Sequence, residues 1–123
     1  MTPLFDRYTN LVGWLSNDTK HLFDINLNWV AFISSDDSIW TVGRKSWVGN
    51  LYGTNIRDIN GKTIFWNSQT SISNSLKPLR PLNPLTPLRP LKPLKPLNPL
   101  RPLKPLTPSG GWSEITWEQF INS

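Results

Sequence analysis

Cysteine is absent from the 123 residues, so neither a disulfide nor a thiolate metal site can contribute. The single histidine, His21, excludes a histidine-rich metal site and leaves a histidine base without support. The first residues, Met-Thr-Pro-Leu-Phe-Asp, have neither the basic start nor the apolar run of a secretory leader. No stretch approaches the ~20 apolar residues that cross a bilayer. The default expectation is a cytoplasmic protein with no membrane span, with extracellular placement by an unconventional route, which leaves no mark, as the alternative. No nucleotide-binding glycine loop, nucleophile elbow or zinc spacing is found. No enzyme is expected, and no cofactor is implied.

Acidic residues are missing from residues 77–108, which hold 11 of the 12 prolines and 7 of the 13 Lys and Arg residues. Outside that stretch 6 basic residues face 8 acidic ones, so the formal charge of +5 belongs to one segment. Roughly 75 residues remain for a globular part, a small core for independent stability. The 7 tryptophans partly offset that, because each buries a large apolar area. Small size without disulfides favours oligomerisation.

The N-terminal part repeats. Leu4-Phe5-Asp6 continues through Val12-Gly13-Trp14-Leu15-Ser16, and Leu22-Phe23-Asp24 through Val30-Ala31-Phe32-Ile33-Ser34, at an offset of 18. The same offset carries Trp29-Val30-Ala31 onto Trp47-Val48-Gly49. A looser copy runs from Ile56-Arg57-Asp58 through Asn60-Gly61-Lys62 to Ile64-Phe65-Trp66. Each unit reads as strand, polar turn, strand, too short for helices and rich in β-branched and aromatic residues. Asn60-Gly61 is a signal for a tight primed turn, and Gly43-Arg44 and Tyr52-Gly53 mark further turns. Gly13, Ala31 and Gly49 share one repeat position, where a small residue marks a bulge or the close approach of another backbone. Trp14, Trp29, Trp47 and Trp66 are expected in the β core.

From Leu76 the chain settles into Pro-Leu-x, with proline at every third position from Pro78 to Pro108. Proline fixes its own φ and pushes the preceding residue out of the α region. What remains is polyproline II, at three residues per turn. The period then places proline on one edge, leucine on the second and Lys, Arg, Asn or Thr on the third. Over residues 76–108 such a rod extends on the order of 100 Å, against about 30 Å for a compact domain of this size. It is therefore expected to be too long to lie on its own domain, and to pack on neighbouring subunits. The expected assembly interface is Leu79, Leu82, Leu85, Leu88, Leu91, Leu94, Leu97, Leu100, Leu103 and Leu106, joined by Trp117 and Phe120.

Beyond Gly110-Gly111, Thr116 and Gln119 have the spacing of a capping box, and Glu118 suits the first turn of a helix. Trp117, Phe120 and Ile121 would form the apolar face of this short helix, which is expected to dock on the β-domain or on a neighbour, since it would not persist undocked. The division is thus 1–74, repeated β-hairpins; 75–108, polyproline II rod; 109–123, glycine hinge and helix. The fold class is mainly β, with four short hairpin units followed by the rod and helix.

The segments Leu4-Phe5-Asp6, Leu22-Phe23-Asp24, Val30-Ala31-Phe32, Ile56-Arg57-Asp58-Ile59-Asn60-Gly61-Lys62 and Trp117-Glu118-Gln119-Phe120-Ile121 resemble, in order, those of the bacterial four-fold beta-flower domain proteins. That family has short aromatic-rich strand repeats of the type Tyr-Asp-x-Asn-Gly-x-x-Val-Ala-Tyr, often a proline-rich run, and a short C-terminal segment. Here Asn-Gly survives only in the last unit, and Phe or Trp mostly replaces tyrosine. The resemblance implies a four-fold arrangement, within one chain or between chains, and supplies no activity or catalytic residues.

Among polar residues, Asp36-Asp37 reads as a solvated loop pair, and His21 as a structural turn residue. Asp6, Asp24 and Asp58 fall at equivalent repeat positions, as turn or strand-end hydrogen-bonding groups do. The expected function is a self-assembling scaffold, as a homotetramer or filament. The alternative is a basic proline-rich module that binds a protein partner through Pro84-Leu-Thr-Pro87-Leu-Arg89 or an anionic surface. A nucleic-acid partner is not favoured, because the rod's cations recur at roughly 9 Å or its multiples, sparser than duplex phosphates.

Overall fold

The computed structural model of the chain describes residues 1–70, 80–82, 87–94, 96, 99, 102, 108 and 111–123. Eight strands follow one another: β1 (Thr2–Phe5), β2 (Leu11–Leu15), β3 (His21–Asp24), β4 (Trp29–Ile33), β5 (Ser38–Thr41), β6 (Trp47–Tyr52), β7 (Asn55–Asp58) and β8 (Thr63–Phe65). Each pairs antiparallel with the next, in sequence order. The two ends then meet, as Phe5 and Trp66 exchange N–H···O bonds of 2.9 Å. The sheet is thereby a nearly closed barrel. The four-fold repeat lies within a single chain: β1–β2, β3–β4, β5–β6 and β7–β8 are its four hairpins.

Local chemistry explains why each hairpin turns where it does. In the first, the Thr9 amide donates to the Asp6 carbonyl and the Asp6 amide to the Asn10 carbonyl, both at 3.0 Å. Thr9 itself sits at φ 65°. This is a type I turn followed by a left-handed residue in a bulge. The second hairpin repeats it with Leu27 at φ 63°, and the fourth with Gly61 at φ 84°. Asn60-Gly61 therefore does not form the primed turn expected of it, since only Gly61 has positive φ. The two-residue primed turn lies elsewhere, at Gly53-Thr54, with Gly53 at φ 60° between the paired Tyr52 and Asn55. Asp58 is the reason for the exchange: its carboxylate accepts from the amides of Asn60 and Lys62, both at 2.9 Å, and so holds the longer loop.

Every hairpin carries one irregularity at the same place. The pairing slips between Leu4 and Phe5, Leu22 and Phe23, Ile39 and Trp40, and Ile56 and Arg57. The extra residue opposite each slip is Val12, Val30, Val48 or Ile64. A bulge bends its strand and increases the twist, and four of them let so short a sheet curl round on itself. The small residues follow the bulges directly. A Cβ on Gly49 would lie 2.0 Å from the Arg57 carbonyl oxygen, and one on Gly13 would lie 2.5 Å from that of Phe23. Both signals read from these positions, bulge and close backbone approach, are present together.

Inside the ring, Leu4, Leu22, Ile39 and Ile56 have no exposed surface and come one from each hairpin. Leu15, Ile33 and Leu51 form a second tier, repeating at 18 residues. An eight-stranded barrel is just wide enough to be filled by side chains, and aliphatic residues fill this one. The tryptophans are placed otherwise. Trp14 and Trp66 are buried, Trp29 and Trp47 half-buried, and none belongs to the main aliphatic cluster. They alternate with the aliphatic positions and so lie on the outer face.

The helix α1 (Trp117–Ile121) closes the hairpin-turn end of the ring. Its capping box is formed as the sequence indicates: the Thr116 hydroxyl accepts from the Gln119 amide, and the Gln119 side chain accepts from the Thr116 amide. Phe120 is 1% exposed inside the barrel, edge-on to Phe65 at 5.4 Å. Phe65 and Trp117 meet edge-to-face at 5.0 Å. Gly13, Ala31 and Gly49 leave room where the fourth hairpin places Phe65, and the helix aromatics use that room. Trp117 and Phe120, expected in an assembly interface, instead complete the core of their own chain.

The Pro-Leu-x segment starts and ends on this same barrel. Before it, the Thr54 amide donates to the Thr70 hydroxyl at 2.9 Å and the Asn55 side chain to the Thr70 carbonyl at 3.0 Å. After it, Pro108 is buried, Trp112 bridges to Thr63, and the Ser113 amide donates to the Thr63 carbonyl at 2.9 Å. Polyproline II geometry itself falls largely outside the described residues.

Candidate functional site

The carboxylates of the barrel are committed to its turns. Asp24 accepts from the amides of Asn26 and Asn28 at 2.9 Å and from the Asn28 side chain at 3.0 Å. Asp6 does the same for Tyr8 and Asn10. The third hairpin has no aspartate there, and the Thr41 hydroxyl accepts from the Ser46 amide at 3.0 Å in its place. At the opposite end, Ser16 donates to Asp18 and Ser34 to Asp36, again 18 residues apart. These hydroxyls are the largest influence holding both carboxyls below their ordinary range, with burial opposing them. Asp36 caps the turn by accepting from the Ser38 amide, and Asp37 occupies its left-handed position at φ 65°.

His21 lies at the start of β3, edge-on to Trp29 at 5.7 Å and 3.9 Å from the Asp18 carboxylate. Among the described residues no group of His, Asp and Glu could hold a metal ion. Arg57 stacks over the Tyr52 ring at 3.7 Å, and burial pushes its pKa down. A cleft of about 510 Å³ separates the first hairpin turn from the C-terminal segment, with Val12, Ile64 and Phe65 as its floor and Arg7, Tyr8 and Glu118 at its rim. The Arg7 guanidinium there donates to the Tyr8 hydroxyl at 2.7 Å. No helix among the described residues is long and apolar enough to cross a membrane.

The feature that stands apart from ordinary packing is on the Pro-Leu-x segment. Leu82 is 93% exposed, Leu88 94%, and Leu91 and Leu94 93% each. Arg80, Arg89 and Lys92 beside them are exposed too. Pro87 is exposed as well, whereas Pro81, Pro90, Pro93, Pro96, Pro99 and Pro102 are half-buried. Leu79, Leu85, Leu97, Leu100, Leu103 and Leu106 lie outside the described residues. The described leucines thus form an outward apolar row flanked by cations, with prolines turned more toward the protein. The repeat of three names the edges but not which of them faces outward.

The outer face of the barrel is the other feature that the sequence did not reveal. Cross-strand neighbours there are Trp14, Phe23 and Trp29 in one group and Phe32, Trp40 and Trp47 in the next. Trp66 and Phe5 follow at the closure, their rings 6.3 Å apart. The corresponding group between the third and fourth hairpins is polar, Asn50 opposite Arg57. A groove of about 270 Å³ beside Phe32 and Ile33 is lined also by Lys20, His21 and Pro87.

No curated protein and no solved structure matches the chain. The family described as 4-fold beta flower protein matches over residues 2–121, which takes in the four hairpins, the Pro-Leu-x segment and the helix. With its four hairpins closed into one ring, the chain belongs to the 4-fold beta flower family.

Proposed function

We propose that the protein is a non-catalytic assembly element, in which the barrel carries an outward leucine row that packs on other copies of the chain. The observation behind this is the exposure of Leu82, Leu88, Leu91 and Leu94, each above nine-tenths. Soluble monomers rarely leave so many large apolar side chains in one row to water. Burying each would release at most about 1.5–3 kcal/mol, and four together are comparable to the entropic cost of association. Arg80, Arg89 and Lys92 flank the row and limit unbounded sticking by like-charge repulsion. Closed tetramers and open filaments both follow from such a row, depending on whether the contact closes.

The test is the mass of the purified full chain by light scattering, with negative-stain images of the same sample. Oligomers that revert to monomers when Leu82, Leu88, Leu91 and Leu94 become serine would support the reading. Oligomers indifferent to those substitutions, or a strictly monomeric wild type, would overturn it. A second reading, binding of an anionic partner, draws on the same three exposed cations. Its sign would be a salt-sensitive shift of labelled RNA or DNA.

A further inference from the structure

We infer that the outer aromatic face of the barrel is a docking surface for the proline edge of the chain's own Pro-Leu-x segment, gripped by the indole N–H groups of Trp29 and Trp40. Outward side chains of a small barrel ordinarily meet water, yet Phe32 and Trp40 are 2% exposed and Phe23 is 3%. Such burial needs cover from outside the sheet. The indole nitrogens of Trp29 and Trp40 are buried with no hydrogen-bond partner, whereas those of Trp47 and Trp66 donate to the Gly49 and Asp6 carbonyls. A buried donor left unpaired is costly, so a partner is called for.

The Pro-Leu-x segment has the complementary deficit. Polyproline II makes no internal hydrogen bonds, so its carbonyls need outside donors. Grooves lined by aromatic residues are the surfaces on which such helices dock. Three observations place this segment there. Pro87, though itself exposed, lines the groove beside Phe32, Ile33 and His21. The described prolines between Pro90 and Pro102 are half-buried, while the described leucines are exposed. Finally, both ends of the segment are anchored on the barrel, at Thr70 and at Trp112. Length agrees as well. Eight tilted strands about 4.8 Å apart, with a layer of side chains, have a girth on the order of 100 Å. That is about the polyproline II length of residues 76–108. The grip on the prolines is what turns the described leucines Leu82, Leu88, Leu91 and Leu94 outward. This does not depend on self-association, because a monomer would make the same contact.

The absence of cysteine allows a direct test. A nitroxide is attached to the exposed position of an Arg89→Cys variant of the full chain, and the tryptophan indole N–H signals are followed by NMR. The expected result is selective broadening of the Trp29 and Trp40 signals in chains that carry both labels. No broadening would mean that the segment leaves the barrel, and the inference fails. Broadening only when nitroxide-bearing chains are mixed with separate isotope-labelled ones would put the segment on a neighbouring copy, and the in-chain docking fails. Trp40→Phe keeps the ring and removes the donor. It should raise chymotrypsin cleavage after the segment leucines about tenfold, the change expected for one lost hydrogen bond. Unchanged cleavage in that variant and in Trp29→Phe would overturn the role of the indole donors. Loss of self-association would show as mass in the same samples and leave the broadening intact, so the two proposals fail separately.

Discussion

Leucine meets opposite fates in the two periodic halves of this chain. Leu4, Leu15 and Leu22 in the barrel have no exposed surface, while Leu82, Leu88, Leu91 and Leu94 in the Pro-Leu-x segment are nearly all surface. Hydropathy cannot separate the two groups. Backbone hydrogen bonding does. In the 18-residue repeat every strand passes its amides to a neighbour, so the ring closes and encloses a volume. In the three-residue repeat proline removes one donor in three, and a polyproline II path would give the remaining groups no partners of their own. A period that can pair with itself makes an inside; one that cannot offers its apolar residues to something else.

The comparison breaks most severely where the barrel is opened. Phe120→Ala removes the aromatic plug beneath Phe65, and large-to-small changes at such buried sites cost about 3–5 kcal/mol. A urea titration followed by tryptophan fluorescence should show the midpoint fall, or no cooperative transition at all. A midpoint close to wild type would mean that the helix is not an integral part of the core.

Next in size is a change that distinguishes equivalent positions of the repeat. Ala31 is tolerated in the second hairpin, but a Cβ on Gly49 would sit 2.0 Å from backbone oxygen. Gly49→Ala should therefore destabilise by about 1–3 kcal/mol through forced backbone movement. Ala31→Gly, by contrast, should cost about 1 kcal/mol or less from added chain entropy. Similar losses for both would show the four hairpins to be more alike than the Arg57 carbonyl position indicates. Smaller again is Asp24→Ala, which strips the second turn of its carboxylate acceptor. Hydrogen bonds to exposed charged groups fall in the lower part of about 0.5–3 kcal/mol, and hydrogen exchange at the Asn26 and Asn28 amides would register the opening first.

Much of the barrel was legible in these residues. The offset of 18 located the hairpins, Gly13 and Gly49 marked the bulged positions, and Thr116 and Gln119 announced the helix start. The turn at Asn60-Gly61 was misjudged because two residues were weighed without Asp58, whose side chain favours the longer loop. Trp14 and Trp66 are buried as expected, but outside the aliphatic cluster, because alternation distinguishes two faces without saying which is inside. In a ring this narrow, aliphatic side chains fit the centre and indoles go outward. Closure within one chain depends on Phe5 meeting Trp66 across 61 positions, a pairing that no local pattern encodes. For the Pro-Leu-x segment, the period gives three edges but nothing in it orders them around a partner.

Acid should act on the barrel's connecting turns with a defined sign. Asp18 and Asp36 have folded pKa values lowered chiefly by the Ser16 and Ser34 hydroxyls. Their contribution is complete above the ordinary carboxylate value and is lost as pH falls below it toward the folded value. Both turns are solvent-exposed, so the effect is small. Ser16→Ala with Ser34→Ala should flatten the fall of the urea midpoint as pH drops below the ordinary carboxylate range. An unaltered slope would assign the acid sensitivity to other carboxylates.

The smallest expected effect is the sharpest test of the contrast. Leu88→Ser and Leu91→Ser remove two large apolar side chains that are already in water, so unfolding of the monomer should shift by no more than about 0.5 kcal/mol. The same change at Leu4 or Leu22, fully buried in the ring, should prevent cooperative folding. Measured at protein concentrations low enough to exclude association, a loss above about 1 kcal/mol from the segment leucines would show that they pack on their own barrel. The outward row would then have no spare surface for a partner. A null result under the same conditions, with association abolished at higher concentration, would separate the two uses of leucine in one chain: one folds the ring, the other joins it to its neighbours.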